Sequence, residues 1–285
     1  MGVTNTVVIF GGDDSEAAEA RHIAWQAGLA VATATVDGQP VSAGTAYKAD
    51  GFRGDAEGTD FGIIAKAIIF ECNPAAAGSL EVIARCDHHN PGDAGYGLGP
   101  DHFFEASSLG QLMGLLHISP SERQLLIAAS DHCPAAAYQG LCPGIDPVAF
   151  QVHRVAEKMA FYAANPRTAA KADAALIEAA IAKAVEVLQA APLVDGVRDL
   201  RDAGFVDELP EAALRSGEAY MAEIPDTDHE RQPTGNRKIV LGGHTTPEAV
   251  EAFMVWANAL PGKIGDAYGN PTRGFAGIVV KPTAE

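Results

Sequence analysis

Short apolar runs alternating with helical segments constrain this chain more than any other feature. "TNTVVIF" (4–10) is a β-branched run closed by Gly11-Gly12, and "DDSEAAEARHIAWQAG" follows it with helical spacing. Asp13, Asp14 or Ser15 is placed to cap a helix predicted from about Glu16 to Gln26, and Gly28 to stop it. "LAVATATV" reads as a second strand with Asp37-Gly38 as its turn. "FGIIAKAIIFEC" (61–72) contains a third strand ending at Glu71, and "SLEVIARC" a fourth ending at Asp87. "ASSLGQLMGLLHI" is helical, with Ser107 or Ser108 as its cap, and "ERQLLIAASDHC" is a further apolar run ending at Asp131. Such alternation predicts an α/β fold around a mostly parallel sheet.

The periodicity changes further along. Residues 146–191 are Ala-rich, and "KADAALIEAAIAKAVEVLQAA" has clear helical spacing closed by Pro192. Beyond it, "LVDGVRDLRDAG", "GEAYMAEI", "RKIVLGGHTTPEAVEAFMVWANAL" and "FAGIVVKP" read as a second, smaller α/β unit. The expected organisation is an α/β domain over 1–145, a helical connector over 146–191 and a smaller α/β domain over 192–285.

With 285 residues, 47% of them hydrophobic, the chain can bury a real core. It contains no run of about 18 apolar residues that would read as a membrane span. Its first residues lack the basic and apolar regions of a secretory signal, so a cytoplasmic location is expected. Thirty-seven acidic against twenty basic residues give a formal charge of −17, which disfavours long nucleic acids as partners. A small phosphorylated substrate held through metal ions remains compatible with that field, as does a homodimer. The four cysteines show no CxxC pairing and read as small buried apolar residues near strand ends.

In an open α/β sheet, ligands collect at the carboxyl ends of the strands. Asp13 and Asp14 follow the first run, Glu71 ends the third, Asp87-His88-His89 end the fourth, and Asp131-His132 end the later one. In a parallel sheet these residues converge on one edge. Carboxylates joined by imidazoles suit Mn²⁺ or Mg²⁺, and clustered carboxylates repel one another unless a cation lies among them. Each residue also has a plainer reading. Asp13 and Asp14 can serve as helix caps, Glu71 can pair with Lys66 or Arg85, and Asp87-His88-His89 can form a solvated turn. The glycine-rich "NPGDAGYGLGP" (90–100) is a flexible loop beside the proposed site and a candidate gate. His229 lies in a polar loop with the character of a lid, and Tyr47 flanks a glycine-rich stretch within reach of substrate.

This order of motifs resembles the DHH phosphoesterase superfamily. "AIIFEC" precedes "CDHH" as the second and third motifs do there, "FFEASSLGQLMGLL" is similar to the helix that follows, and "LLIAASDHCPAAAY" resembles the fourth motif, an acid after an apolar strand. "VLGGHTTPEAVEAF" is similar to the glycine-histidine phosphate-binding motif of the C-terminal domain. The resemblance covers roughly residues 5–145 and a short piece near 240. It implies a metal-dependent phosphoesterase that hydrolyses a small phosphorylated or nucleotide substrate with metal-activated water. It also implies that the domain over 1–145 binds metal and that the one over 192–285 binds substrate. Asp13 or Asp14, Glu71, His88 and Asp131 are the implied ligands of Mn²⁺ or Mg²⁺. His89 is the implied contact to the scissile phosphate, with Asp87 beside it in the catalytic motif. Gly242, Gly243, His244 and Arg273 are the implied substrate-binding residues. The first motif departs from the pattern: "GGDDSE" has no histidine, where the family has one followed by two aspartates one residue apart. His102 or His132 is the candidate replacement, and a non-hydrolytic ligand-binding relative is the alternative reading.

Overall fold

The computed structural model describes residues 5–42, 44–55, 64–227, 232–271 and 273–282. The loop around His229, read above as a lid, lies outside them. The chain divides into two compact units, residues 1–150 and 151–285, each α/β. Among the described residues no helix is long and apolar enough to cross a membrane.

In the first unit, β1 (Thr6–Phe10) leads into α1 (Ser15–Gln26) and β2 (Ala30–Val36). Asp37 and Gly38 both take positive φ, as a tight two-residue hairpin requires, and turn the chain into β3 (Gln39–Pro40). β4 (Gly51–Gly54) returns antiparallel along β2. β5 (Lys66–Phe70) and β6 (Glu81–Cys86) complete a sheet ordered β3-β2-β1-β5-β6, in which β2, β1, β5 and β6 run parallel. All five residues of β1 are buried because both faces are covered, which explains its unbroken apolar run. Val8, Phe10, Ile68 and Phe70 pack on one side against Ala20, Ile23, Leu109 and Leu112. Val7, Ile9, Ala67 and Ile69 pack on the other against the alanine-rich turns around Ala46 and Ala77.

Four helices close this unit: α2 (Phe103–Ala106), α3 (Ser108–Leu115), α4 (Glu122–His132) and α5 (Pro134–Tyr138). Here the structure corrects one expectation. "ERQLLIAAS", grouped above with the strands, is α4, and Asp131 lies in its last turn rather than at a strand end. A capping box starts the helix: Ser121 accepts from the Gln124 N–H while the Gln124 side chain accepts from the Ser121 N–H. Three strand ends and one helix end, rather than four strand ends, therefore carry the acids and histidines.

The next helix, α6 (Pro147–Ala164), crosses the boundary between the units. The second unit continues with α7 (Ala174–Ala190), β7 (Leu193–Val194), β8 (Val197–Leu200), α8 (Leu209–Ser216), β9 (Ala219–Thr227), β10 (Pro233–Gly243), α9 (Pro247–Asn258), β11 (Lys263–Asn270) and β12 (Phe275–Val280). Its sheet runs β11-β12-β10-β9-β8-β7, antiparallel throughout except for the parallel pair β8 and β9. Pro247 opens α9 behind a Thr246 cap, as the sequence indicates, whereas β11 is a strand the sequence reading does not contain.

β2 and β5 flank β1 on opposite sides, so the crossovers reverse direction there and leave a crevice beyond the carboxyl ends of β1 and β5. Gly11 sits at that point, and its N–H donates to the Phe70 carbonyl at 2.9 Å. A Cβ on residue 11 would lie 2.1 Å from the Glu71 carbonyl oxygen and 2.6 Å from Cys72 Cβ, so only glycine fits without a backbone shift. Gly11→Ala is expected to destabilise the fold by about 1–3 kcal/mol, the usual cost of overpacking. Urea unfolding checks this, and a wild-type midpoint in the variant would refute the packing argument.

Candidate metal centre

The crevice at the end of β1 and β5 gathers acids and imidazoles. Among the described residues, Glu71, His88 and His89 have side-chain ligand atoms close enough to share one ion, and so do Glu16, Glu71 and Asp131. Glu71 belongs to both groups. It follows β5 directly and is held at φ +51°, a left-handed conformation that costs a non-glycine residue about 1–3 kcal/mol. Its carboxylate is buried and accepts a hydrogen bond from Ser108 Oγ at 2.8 Å. Pairing with Lys66 or Arg85, the plainer sequence reading, is not what the side chain does.

Glu16 is the residue the sequence reading passes over. It lies in the first turn of α1, where an acid reads as a favourable partner for the helix dipole. In the structure it is buried, and its Oε1 accepts from the Leu109 N–H at 2.9 Å, at the start of α3. Oε2 is buried with no hydrogen-bond partner. A signal was present, because Glu16 is a further acid close behind the end of the first apolar run. Asp14 itself caps α1 by accepting from the Ala17 N–H at 2.8 Å, and Asp13 is exposed. Neither belongs to the two ligand groups, although desolvation and then the charge of Asp131 raise the Asp14 carboxyl above its ordinary range.

Burial pushes the Glu16 and Glu71 carboxyls well above the usual carboxylate range, and the charge of Asp131 adds to the effect in both. Without a cation between them, both carboxyls resist ionisation more than an ordinary glutamate does. Asp131 stands at the C-terminal end of α4, where the helix dipole disfavours an anion, so the fold gains nothing from an acid there by itself.

His88 is buried, and its two ring nitrogens have different surroundings. Nδ1 lies 3.1 Å from His132 Nδ1, and His132 Nε2 lies 3.1 Å from the Leu98 carbonyl oxygen. A carbonyl only accepts, so His132 donates through Nε2 and, as a neutral imidazole, accepts at Nδ1. His88 must then donate through Nδ1, which leaves a lone pair on its Nε2. That bare nitrogen faces Asp131 Oδ2 at 3.0 Å and Glu71 Oε1 at 3.8 Å, yet it is buried and makes no hydrogen bond. Two adjacent ligands of an octahedral ion bound at about 2.1 Å sit about 3 Å apart, so this is the spacing of two ligands on one centre. The donor set fits a divalent cation. His132 thus orients His88 from behind, and His102 is exposed beside Asp101.

Asp87 has a separate task. Burial alone would raise its carboxyl, but hydrogen bonds from the His89 ring, the His89 N–H and Tyr47 outweigh it and hold the group below the usual range. Tyr47 Oη donates to both carboxylate oxygens, at 3.0 and 2.9 Å, and the His88 and His89 N–H groups donate to Oδ1 at 2.8 and 3.0 Å. An ionised carboxylate cannot donate, so His89 Nδ1, 2.9 Å from Asp87 Oδ1, carries the proton. Gln111 clamps the turn, donating to the Asp87 and Ala106 carbonyls and accepting from the Asp87 N–H. The loop read as a gate is tied down at two points, by Gly95 N–H to the Asp87 carbonyl and by Leu98 to His132.

In the second unit, Gly242, Gly243 and Arg273 line an open groove of about 390 Å³ with Tyr220, Tyr268 and Phe275. Gly243 takes φ +83°, and a Cβ there would lie 2.3 Å from the Glu218 carbonyl oxygen. His244 is exposed next to it, with its N–H donated to that same carbonyl. The Arg273 side chain is exposed, and its N–H donates to Asn270 Oδ1.

No protein-family profile and no curated protein matches the sequence. Among solved structures, the crystal structure of exonuclease RecJ bound to manganese is similar over 98% of this chain and 86% of that chain, at 12% identity and a TM-score of 0.41. A likeness that distant assigns no function, which rests instead on the residues.

Two outcomes follow. The folded-state pKa values of Glu16 and Glu71 are raised, so the stability linked to their protons is present below their ordinary pKa of 4.5 and lost as pH rises through the folded values. Glu71→Gln, which keeps an acceptor for Ser108, is expected to raise the melting temperature of the metal-free protein at neutral pH by at least about 2–4 °C, the shift that 1 kcal/mol produces in a unit this size. Calorimetry in chelator tests it, and a lower melting temperature would count against like-charge repulsion. Tyr47→Phe is expected to leave the fold intact while loosening Asp87. Nitrogen-detected NMR of the His89 ring should then show the Nδ1–H tautomer losing its dominance, and unchanged ring shifts would remove Tyr47 from this role.

Proposed function

We propose that the chain is a divalent-cation-dependent hydrolase of phosphoester or pyrophosphate bonds in a small phosphorylated or nucleotide substrate. The observation that carries this reading is the bare, buried Nε2 of His88 aimed at the half-buried carboxylate of Asp131 and the buried one of Glu71. Glu16, Glu71, His88 and Asp131 would hold the cation, with Glu71 shared wherever two ions bind. Mostly oxygen ligands with one imidazole favour Mn²⁺ or Mg²⁺ over zinc. Such a cation supplies acidified water and neutralises charge developing on phosphoryl oxygens.

The chain's own groups support the rest of the chemistry. His89, held through Nδ1 by Asp87, would contact a phosphoryl oxygen as the imidazolium, donating through Nε2–H. The backbone at Gly242 and Gly243 and the Arg273 guanidinium suit a phosphate or sugar end of a substrate, and the tyrosines of their groove suit a planar base. The overall charge of −17 argues for a small substrate rather than a long polyanion.

Titration of Mn²⁺ into chelator-stripped protein tests the reading. Wild type at about a hundredfold excess over its Kd is expected to gain about 2.7 kcal/mol of stability. His88→Ala should lose at least about tenfold in affinity. A panel of nucleoside phosphodiesters and pyrophosphates, assayed with Mn²⁺ and with chelator, should show cation-dependent release of phosphate or nucleotide. If no divalent cation binds, or if His88→Ala binds as well as wild type, the reading is wrong. Cation binding with ligand uptake but no turnover would make the protein a binder rather than a hydrolase.

A further inference from the structure

One pair of reactive groups lies outside the chemistry above. Cys133 Sγ and Cys142 Sγ are 2.9 Å apart, closer than two sulfurs normally sit without a bond, yet both cysteines are free. Cys133 joins α4 to α5 immediately after Asp131 and His132, and it is half-buried. Cys142 lies beyond α5, buried among Ala137, Ile145 and Phe150. Both backbones are anchored: the Cys133 N–H donates to the Ala129 carbonyl, the Cys133 carbonyl accepts from Ala137, and the Cys142 carbonyl accepts from Ile145. The other cysteines differ. Cys72 and Cys86 are buried in separate clusters on opposite faces of the sheet.

We propose that Cys133 and Cys142 are a redox-active dithiol, a modification site that a low-molecular-weight disulfide converts to an intramolecular disulfide. Closing the bond needs the sulfurs to approach to about 2.05 Å, a movement under 1 Å that side-chain rotation supplies. The half-buried Cys133 is the sulfur a small oxidant reaches first. After its proton has passed to solvent, Cys133 attacks the oxidant R–S–S–R, the S–S bond breaks, and one R–S⁻ leaves to take up a proton. The Cys142 thiolate then attacks Cys133 Sγ in the mixed disulfide and expels the second R–S⁻. In balance, two protein thiols lose two electrons and two protons, and one small disulfide becomes two small thiols. The bridge closes the 133–142 loop directly behind the turn that carries Asp131 and His132, so the redox state sets how firmly that turn is held.

The proposal makes no assumption about a bound cation, and its test reads sulfur alone. The wild-type chain is equilibrated with oxidised glutathione and its thiols are counted after denaturation. The count is expected to fall from four to two, with the mass lowered by two hydrogens, no retained glutathione, and a single cross-linked peptide joining Cys133 to Cys142. Dithiothreitol should restore all four. Cys142→Ser should instead hold glutathione on Cys133. Four thiols persisting in the wild type, stable glutathione adducts on it, or a bridge to Cys72 or Cys86 would each overturn the proposal. An unmodified Cys133 in a folded Cys142→Ser chain would overturn the assigned order of attack.

Discussion

The constraint on which the first unit turns is negative charge placed in its interior without a permanent positive partner. Glu16 and Glu71 are buried and meet no lysine or arginine among the described residues. The same chain treats buried acids differently in its second unit. There Glu208 is paired with Lys158 at 2.7 Å, and Glu211 with Arg154 at 2.8 Å. That contrast excludes a general tolerance of buried carboxylates as the explanation. Where the chain needs a stable acid in its interior, it supplies a guanidinium or an ammonium. At the end of β1 and β5 it supplies neutral donors instead, namely Ser108 Oγ and the Leu109 N–H, together with an imidazole whose facing nitrogen is bare. A neutral donor can hold an oxygen in place without satisfying its charge, and this keeps a site open to a mobile cation.

Several independent costs fall on the same few residues. Glu71 is left-handed, Asp131 opposes a helix dipole, Glu16 has a donorless oxygen, and Gly11 leaves no room for a side chain against the Glu71 carbonyl. Any one of these is ordinary in a folded protein. Their concentration at the point where the sheet reverses its winding is not, because local and global preferences otherwise agree along much of the chain: caps at Asp14, Ser107, Asp173 and Thr246 all sit where the sequence periodicity starts a helix. Places where that agreement fails are where function is sought.

The strands and the Asp-His-His turn were legible because a run buried on both faces is continuously apolar and the residues after it are fixed by topology. Other parts were not. The run "LLIAAS" is too short for its period to separate strand from helix, and only the Ser121–Gln124 box decides it. Glu16 was hidden by a competing explanation, since an acid in a first helical turn needs no further reason. Tyr47 reaches Asp87 from forty positions away, and the link from Leu98 through His132 to His88 joins three segments, so neither has a local signature. Single residues at strand ends were readable; the contacts that give them a protonation state were not.

Those contacts decide what the two histidines of the turn can do. Side by side in sequence, His88 and His89 look interchangeable, and a ligand role for both would be the simplest assumption. Their partners separate them. His88 gives its Nδ1 proton to His132 and turns Nε2 inward to the carboxylates, whereas His89 gives its Nδ1 proton to Asp87 and remains partly open to solvent. The acceptor behind His88 is a neutral ring that ends on a carbonyl; the one behind His89 is an ionised carboxylate further held by Tyr47. An anion behind an imidazole fixes which ring nitrogen carries the proton and how the ring is turned. A neutral acceptor leaves the lone pair to a cation without adding charge to a site already crowded with it. One dipeptide thus presents two differently oriented rings because of what stands behind each.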